Sequence, residues 1–174
     1  MIKIDSKISF DLERAVKFLV EEYGKTGDNP KPVIMHSLRI AIYLLEAGYP
    51  YEVVAGALLH DLLEDASISL DIIRQELGNQ IADIVAAVSF DPQINDPEQN
   101  YKEMFQRTKE AGRPALLIKA ADLLNNSYYY DLAPADKHRD LIKKIGYFLE
   151  LSQPKIGTES VWQELGEQYQ KINI

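Results

Sequence analysis

From end to end, the apolar residues of this chain recur at helical spacing, and nowhere do they alternate as a half-buried strand requires. That pattern restricts the fold to helices packed on helices. FDLERAVKFLVEEY follows Ser9, a residue type suited to an N-cap, and stops at Gly24. VIMHSLRIAIYLLEA, about 33–47, stops at Gly48. Pro50 then introduces YEVVAGALLHDLLED, which fades near Ala66. SLDIIRQEL with Ser69 as cap, and NQIADIVAAVSF after Gly78, supply a fourth and a fifth helix. DPQINDPEQN, with two Asp-Pro pairs, is a loop, long and polar enough for a lid but better suited to a plain connection. YKEMFQRTKEA is a sixth helix, ended by Gly112. After Pro114, ALLIKAADLLNNSYYYDL is too densely apolar for a surface helix and is expected to be central. DKHRDLIKKIGYFLEL and ESVWQELGEQYQKI complete the chain. The expected class is an all-α bundle of about seven to nine helices, one domain over 1–174.

A net charge of −8 argues against binding a nucleic-acid polymer or an anionic membrane, which both call for cationic surface. No apolar run approaches the roughly 18 residues a membrane span needs. The start, MIKIDSKISFDLERAV, has no signal-peptide pattern, and the chain has no cysteine. A cytoplasmic setting fits, without disulfides, a thiolate nucleophile or sulfur-ligated metal.

Against this apolar background stands ALLHDLLED, 57–65, where four polar residues arrive within six positions. Charge near a core is costly unless something pairs with it. His36 lies in VIMHSLRIA and Asp122 in ALLIKAADLLNN, again on otherwise apolar helices. Each alone has an ordinary reading, a satisfied core histidine or a capping aspartate. Jointly, three helices bring imidazole or carboxylate groups into apolar context, and a divalent cation is the cheapest way to neutralise them. His36, His60, Asp61 and Asp122 would give two nitrogen and two oxygen ligands, suited to manganese, iron, cobalt, nickel or zinc rather than calcium. Glu64 follows His60 by four residues and Asp65 follows Asp61 by four, so both would project beside the ion, where a base or water-orienting group belongs. Asn126, four after Asp122, could hold a substrate oxygen or orient a ligand.

His36, then His60-Asp61, then Asp122 resembles the H…HD…D signature of the HD-domain metal-dependent phosphohydrolases. HDLLED, 60–65, is similar to the HDxxED element of the RelA/SpoT-type guanosine polyphosphate 3′-pyrophosphohydrolases, and KAADLLNN, 119–126, to their K-L-A-D-x-x-x-N element. The resemblance runs from about residue 30 to 130. It implies an all-helical bundle, metal ligands His36, His60, Asp61 and Asp122, manganese as the metal, Glu64 and Asp65 as the water-activating pair, and Asn126 at the substrate. Ahead of His36, where that group carries a basic, His- and Gln-containing stretch, EEYGKTGDNPKPVIMH has only Lys25 and Lys31 as cations.

Arg39, three residues after His36, could reach a phosphate, or pair with Glu46 or with a ligand carboxylate. Lys119, three before Asp122, could bind substrate phosphate or pair with an acid; substrate is the expectation. Among the three consecutive tyrosines Tyr128, Tyr129 and Tyr130, at most one or two can share a face, so packing is the better reading. Three functions stay open: hydrolysis of a small phosphorylated molecule, with guanosine polyphosphate 3′-pyrophosphohydrolysis first and phosphomonoester hydrolysis second; a non-catalytic nucleotide sensor; and a helical scaffold without metal.

Overall fold

A computed structural model of the chain describes residues 5–26, 32–66, 68–130 and 134–173. Lys31 and the expected end of the central helix, 131–132, lie outside these. Among the described residues there are ten helical segments and no strand, and one of the ten is a single turn. The chain divides into two compact units, 1–89 and 90–174.

In the first unit, α1 (Ser6–Gly24), α2 (Val33–Glu46) and α6 (Asn79–Val88) pack around α3 (Tyr51–Leu59). Every residue of α3 from Val53 to Leu59 is buried, so it is apolar all round rather than amphipathic. The helix starts one residue after Pro50, whose fixed φ suits a helix entry. The continuous helix expected over 51–65 is interrupted. α3 ends at Leu59, and a single turn, α4 (Leu62–Asp65), begins beyond His60 and Asp61. Here the Glu64 N–H donates to the Asp61 carbonyl at 3.1 Å, a tightened turn that leaves the His60 carbonyl outside the helical ladder. Ser89 Oγ lies 3.3 Å from that carbonyl and 2.8 Å from Val85 O. Short α5 (Leu70–Leu77) packs on α6 through Gly78. Ser69 is its N-cap residue as expected, although its hydroxyl makes no capping bond. α1 begins at Ser6 rather than Phe10, because Asp5 is its cap and accepts from the Lys7 N–H at 2.8 Å. Ser9 Oγ instead donates back to the Asp5 carbonyl.

In the second unit α7 (Pro97–Ala111), α9 (Ala135–Ile156) and α10 (Ser160–Ile172) surround α8 (Arg113–Ser127). Ten consecutive α8 residues, Ala115 to Leu124, are buried, as its apolar density predicts. α7 starts four residues earlier than expected: Asp96 caps it by accepting from the Gln99 N–H at 2.6 Å, and Pro97 occupies the first turn. The preceding loop is fastened rather than free. Asn100 Nδ2 donates to the Asp91 and Ile94 carbonyls at 2.7 and 3.1 Å, and Asn100 Oδ1 accepts from the Asp91 N–H. α7 meets α9 through Phe105 and Phe148, edge to face with centroids 5.0 Å apart. α9 runs through Pro154 to Ile156, past the expected stop at Leu151. Trp162 of α10 donates to Ser152 Oγ at 3.0 Å. α8 ends at Ser127; Tyr128 and Tyr129 are exposed and Tyr130 is buried.

Candidate functional site

The break between α3 and α4 presents His60 and Asp61. His60 is fully buried, and its Nδ1 lies 2.8 Å from the Ala57 carbonyl. A carbonyl has no proton to give, so Nδ1 carries the proton and donates, and a neutral ring presents its lone pair at Nε2. That nitrogen lies 3.1 Å from Asp61 Oδ1. Two acceptors at this distance repel unless they share a cation, either a proton on Nε2 or a metal ion. The spacing fits either choice: it is an ordinary N–H···O distance, and an ion about 2.1 Å from each of two donors at right angles also holds them about 3.0 Å apart. His36 reaches the same carboxylate from α2, its Nε2 3.7 Å from Asp61 Oδ2 and its ring centroid 5.2 Å from that of His60. Two imidazoles thus face one carboxylate, and the protonated Nδ1 of His60 is the arrangement by which a backbone carbonyl orients a metal-binding histidine.

The single turn α4 gathers more negative charge. The Glu64 and Asp65 N–H groups both donate to the Asp61 carbonyl, at 3.1 and 2.9 Å, so all three carboxylates belong to one turn. Glu64 is exposed and Asp65 half-buried. Tyr23, near the end of α1, is a neighbour that spacing alone does not reveal. Its phenol is held well above the ordinary tyrosine pKa, first by burial and then by Asp61, Asp65 and Glu64. In the sequence Tyr23 continues the buried stripe of Ala15, Phe18 and Leu19 and so reads as core. Ser89, beside the His60 carbonyl, is equally silent in the sequence, because a serine after an apolar run carries no functional signal. Arg39 is exposed on α2, one turn beyond His36.

In the second unit, α8 carries Asp122, itself buried, with both carboxylate oxygens engaged. Lys119 Nζ lies 3.1 Å from Oδ2, and Asn126 Nδ2 donates to Oδ1 at 2.6 Å. The i−3 and i+4 spacings that make these contacts are legible in KAADLLNN. Both side chains considered for substrate therefore grip a carboxylate on their own helix. Tyr130 is buried nearby, and burial, then the charge of Asp122, holds its phenol well above the ordinary range.

Known proteins are similar to this chain. The profile of the HD domain family matches residues 14–145. Guanosine-3′,5′-bis(diphosphate) 3′-pyrophosphohydrolase of Aquifex aeolicus (strain VF5) is 29% identical over 181 residues, which cover 93% of this chain and 25% of that protein. The bifunctional (p)ppGpp synthase/hydrolase SpoT of Escherichia coli (strain K12) is 28% identical over 153 residues, 83% of this chain and 21% of that protein. The chain thus spans about a quarter or less of the length of these curated relatives. Among solved structures, one described as a metazoan ortholog of SpoT that hydrolyzes ppGpp superposes with a TM-score of 0.79 at 16% identity, covering 98% of both chains. A protein from Listeria monocytogenes EGD-e superposes with a TM-score of 0.68 at 20% identity, covering 83% of this chain and 99% of that one. At such identities these two likenesses speak for the fold. The family match is of another kind, because it covers about three quarters of the chain and includes the helices and turn that carry His36, His60, Asp61 and Asp122: this chain belongs to the HD domain family.

Proposed function

We propose that this chain is a metal-dependent phosphohydrolase whose substrate is a guanosine polyphosphate, cleaved at the 3′-pyrophosphate. The observation that carries the reading is His60 Nε2 set 3.1 Å from Asp61 Oδ1, with His36 Nε2 3.7 Å from the other oxygen, a donor set that suits a cation. The names of the relatives from Aquifex aeolicus and Escherichia coli support the substrate.

The HD domain implies a divalent metal, and the mixed nitrogen and oxygen donors fit Mn2+. The ligands are His36, His60, Asp61 and Asp122, the set that the family pattern implies. Lys119 and Asn126 fix the carboxylate of Asp122 through the two contacts on α8. When bound, such an ion polarises a phosphoryl oxygen and acidifies a water. Glu64, the exposed carboxylate of α4, takes the proton of the attacking water, and Asp65 orients that water. The water oxygen bonds to the proximal phosphorus of the 3′-pyrophosphate while the bond from that phosphorus to the 3′ ester oxygen breaks. Pyrophosphate departs and the 3′ oxygen takes up a proton, leaving the nucleoside 5′-diphosphate. Arg39, exposed one turn beyond His36, is read as the contact for a substrate phosphate.

A second reading, hydrolysis of simpler phosphomonoesters, is favoured by one observation. Cations that a highly charged substrate would want are already engaged: Lys25 Nζ lies 2.6 Å from Glu22 and 3.3 Å from Glu21, and Lys119 is paired with Asp122. The deciding experiment measures pyrophosphate and orthophosphate release from a nucleotide panel in Mn2+, with chelator and Glu64→Ala controls. Chelator-sensitive pyrophosphate from guanosine tetraphosphate is the expected result. Orthophosphate from nucleoside monophosphates selects the second reading, and no release from any substrate by metal-loaded protein sinks both.

A further inference from the structure

Tyr23 combines the burial of a packing residue with a hydroxyl that packing does not need. Its side chain is 4% exposed, as deep as the core residues around it. Its hydroxyl is buried and makes no hydrogen bond among the described residues. Its helix, α1, packs against α4, the turn that carries Glu64 and Asp65. Buried phenols ordinarily find a partner, because desolvating the hydroxyl without one is costly. A phenylalanine would fill the same space at no such cost.

The charges nearby say what kind of partner is missing. Asp61 acts on the phenol most strongly after burial itself, then Asp65 and Glu64. All of these influences favour the protonated form, so the phenol keeps its hydrogen at neutral pH. The carboxylates are acceptors, and none of them has that hydrogen in a bond. Beside this acidic turn there is therefore one neutral donor, a phenol whose hydroxyl has no partner among the described residues. Just past the end of α1, Lys25 is turned to Glu21 and Glu22 at the surface.

We propose that Tyr23 is a further substrate-binding residue, its hydroxyl donating a hydrogen bond to a phosphoryl oxygen held beside Asp61, Glu64 and Asp65. The inference rests on the phosphohydrolase reading above and adds to it a donor that supplies direction without charge. No metal ligand is involved, so metal affinity does not depend on it.

The test is Tyr23→Phe, which keeps the ring and removes the hydroxyl. Calorimetry would measure the affinity of the Mn2+-loaded protein for inorganic pyrophosphate, alongside Mn2+ affinity and the melting temperature. The expected result is a melting temperature no lower than wild type, unchanged Mn2+ affinity, and pyrophosphate binding weakened about tenfold or more, the scale of a hydrogen bond to a charged acceptor. Equal pyrophosphate affinity in the two proteins overturns the proposal, as does a wild type that binds no pyrophosphate at all. Hydrolysis is read separately: if wild type cleaves nothing yet the variant loses pyrophosphate affinity, the Tyr23 assignment stands and the hydrolase reading falls.

Discussion

Lys119 holds an ammonium group at a position only 2% exposed, 3.1 Å from Asp122, whose other oxygen takes a hydrogen bond from Asn126. Removing one member of a buried pair strands the other, at about 3–5 kcal/mol, whereas replacing both is often close to neutral. Lys119→Met in chelator is therefore expected to lose about 3 kcal/mol or more in urea denaturation. The double variant Lys119→Met, Asp122→Asn should recover most of that loss; equal losses in single and double variants would show that the pair is not what stabilises α8. At this scale the sequence is informative where spacing decides the contact. KAADLLNN places Lys119 and Asn126 on the face of Asp122, and HDLLED places three carboxylates within one turn. What spacing leaves open is direction. Lys119 and Asn126 turn to Asp122, and Tyr23 hides in an apolar stripe, because a tyrosine at a core position looks the same whether its hydroxyl has work or not.

Two of the connections between helices consist of one glycine. Gly78 joins α5 to α6 with φ +90°, and Gly112 joins α7 to α8 with φ +96° and ψ −165°. That region of backbone space is essentially reserved for glycine and costs other residues about 1–3 kcal/mol. Nothing lies within 4 Å of where a Cβ on Gly112 would sit, so Gly112→Ala isolates the conformational cost. It should destabilise the protein by about 1–3 kcal/mol in urea denaturation without altering metal affinity. A change below about 0.5 kcal/mol, the scatter of ordinary surface substitutions, would mean that the helices are not held by this turn. Helix ends marked by glycine were legible for this reason: Gly24, Gly48, Gly78 and Gly112 all fall within two residues of the ends of helices. Starts marked by an acidic cap were less so, since Asp5 and Asp96 compete with other capping candidates within a few residues. The break at His60 was not legible at all, because apolar periodicity continues through ALLHDLLED and only the Glu64 to Asp61 hydrogen bond reveals it.

Over the whole molecule, the helical class follows from the helical period of its apolar segments, and the chain's charge of −8 sets how it meets ions. An acidic surface collects divalent cations loosely, without preference for nitrogen donors, whereas a seat built on His36 and His60 discriminates. Manganese, iron, cobalt, nickel and zinc accept imidazole, while calcium prefers oxygen alone. Binding to the folded state raises stability by RT ln(1 + [L]/Kd), about 2.7 kcal/mol at one hundred times Kd. For a chain of this size each kcal/mol moves the melting temperature by about 2–4 °C, so saturating Mn2+ should raise it by about 5–10 °C over chelator. His60→Ala removes a donor from the 3.1 Å pair with Asp61 and should abolish the rise, and Ca2+ should not reproduce it. Differential scanning calorimetry across Mn2+, Ca2+ and chelator, on wild type and His60→Ala, checks both statements. A rise of equal size with Ca2+, or in the histidine variant, would place the ions on the acidic surface and remove the physical basis for metal-assisted hydrolysis at His60 and Asp61.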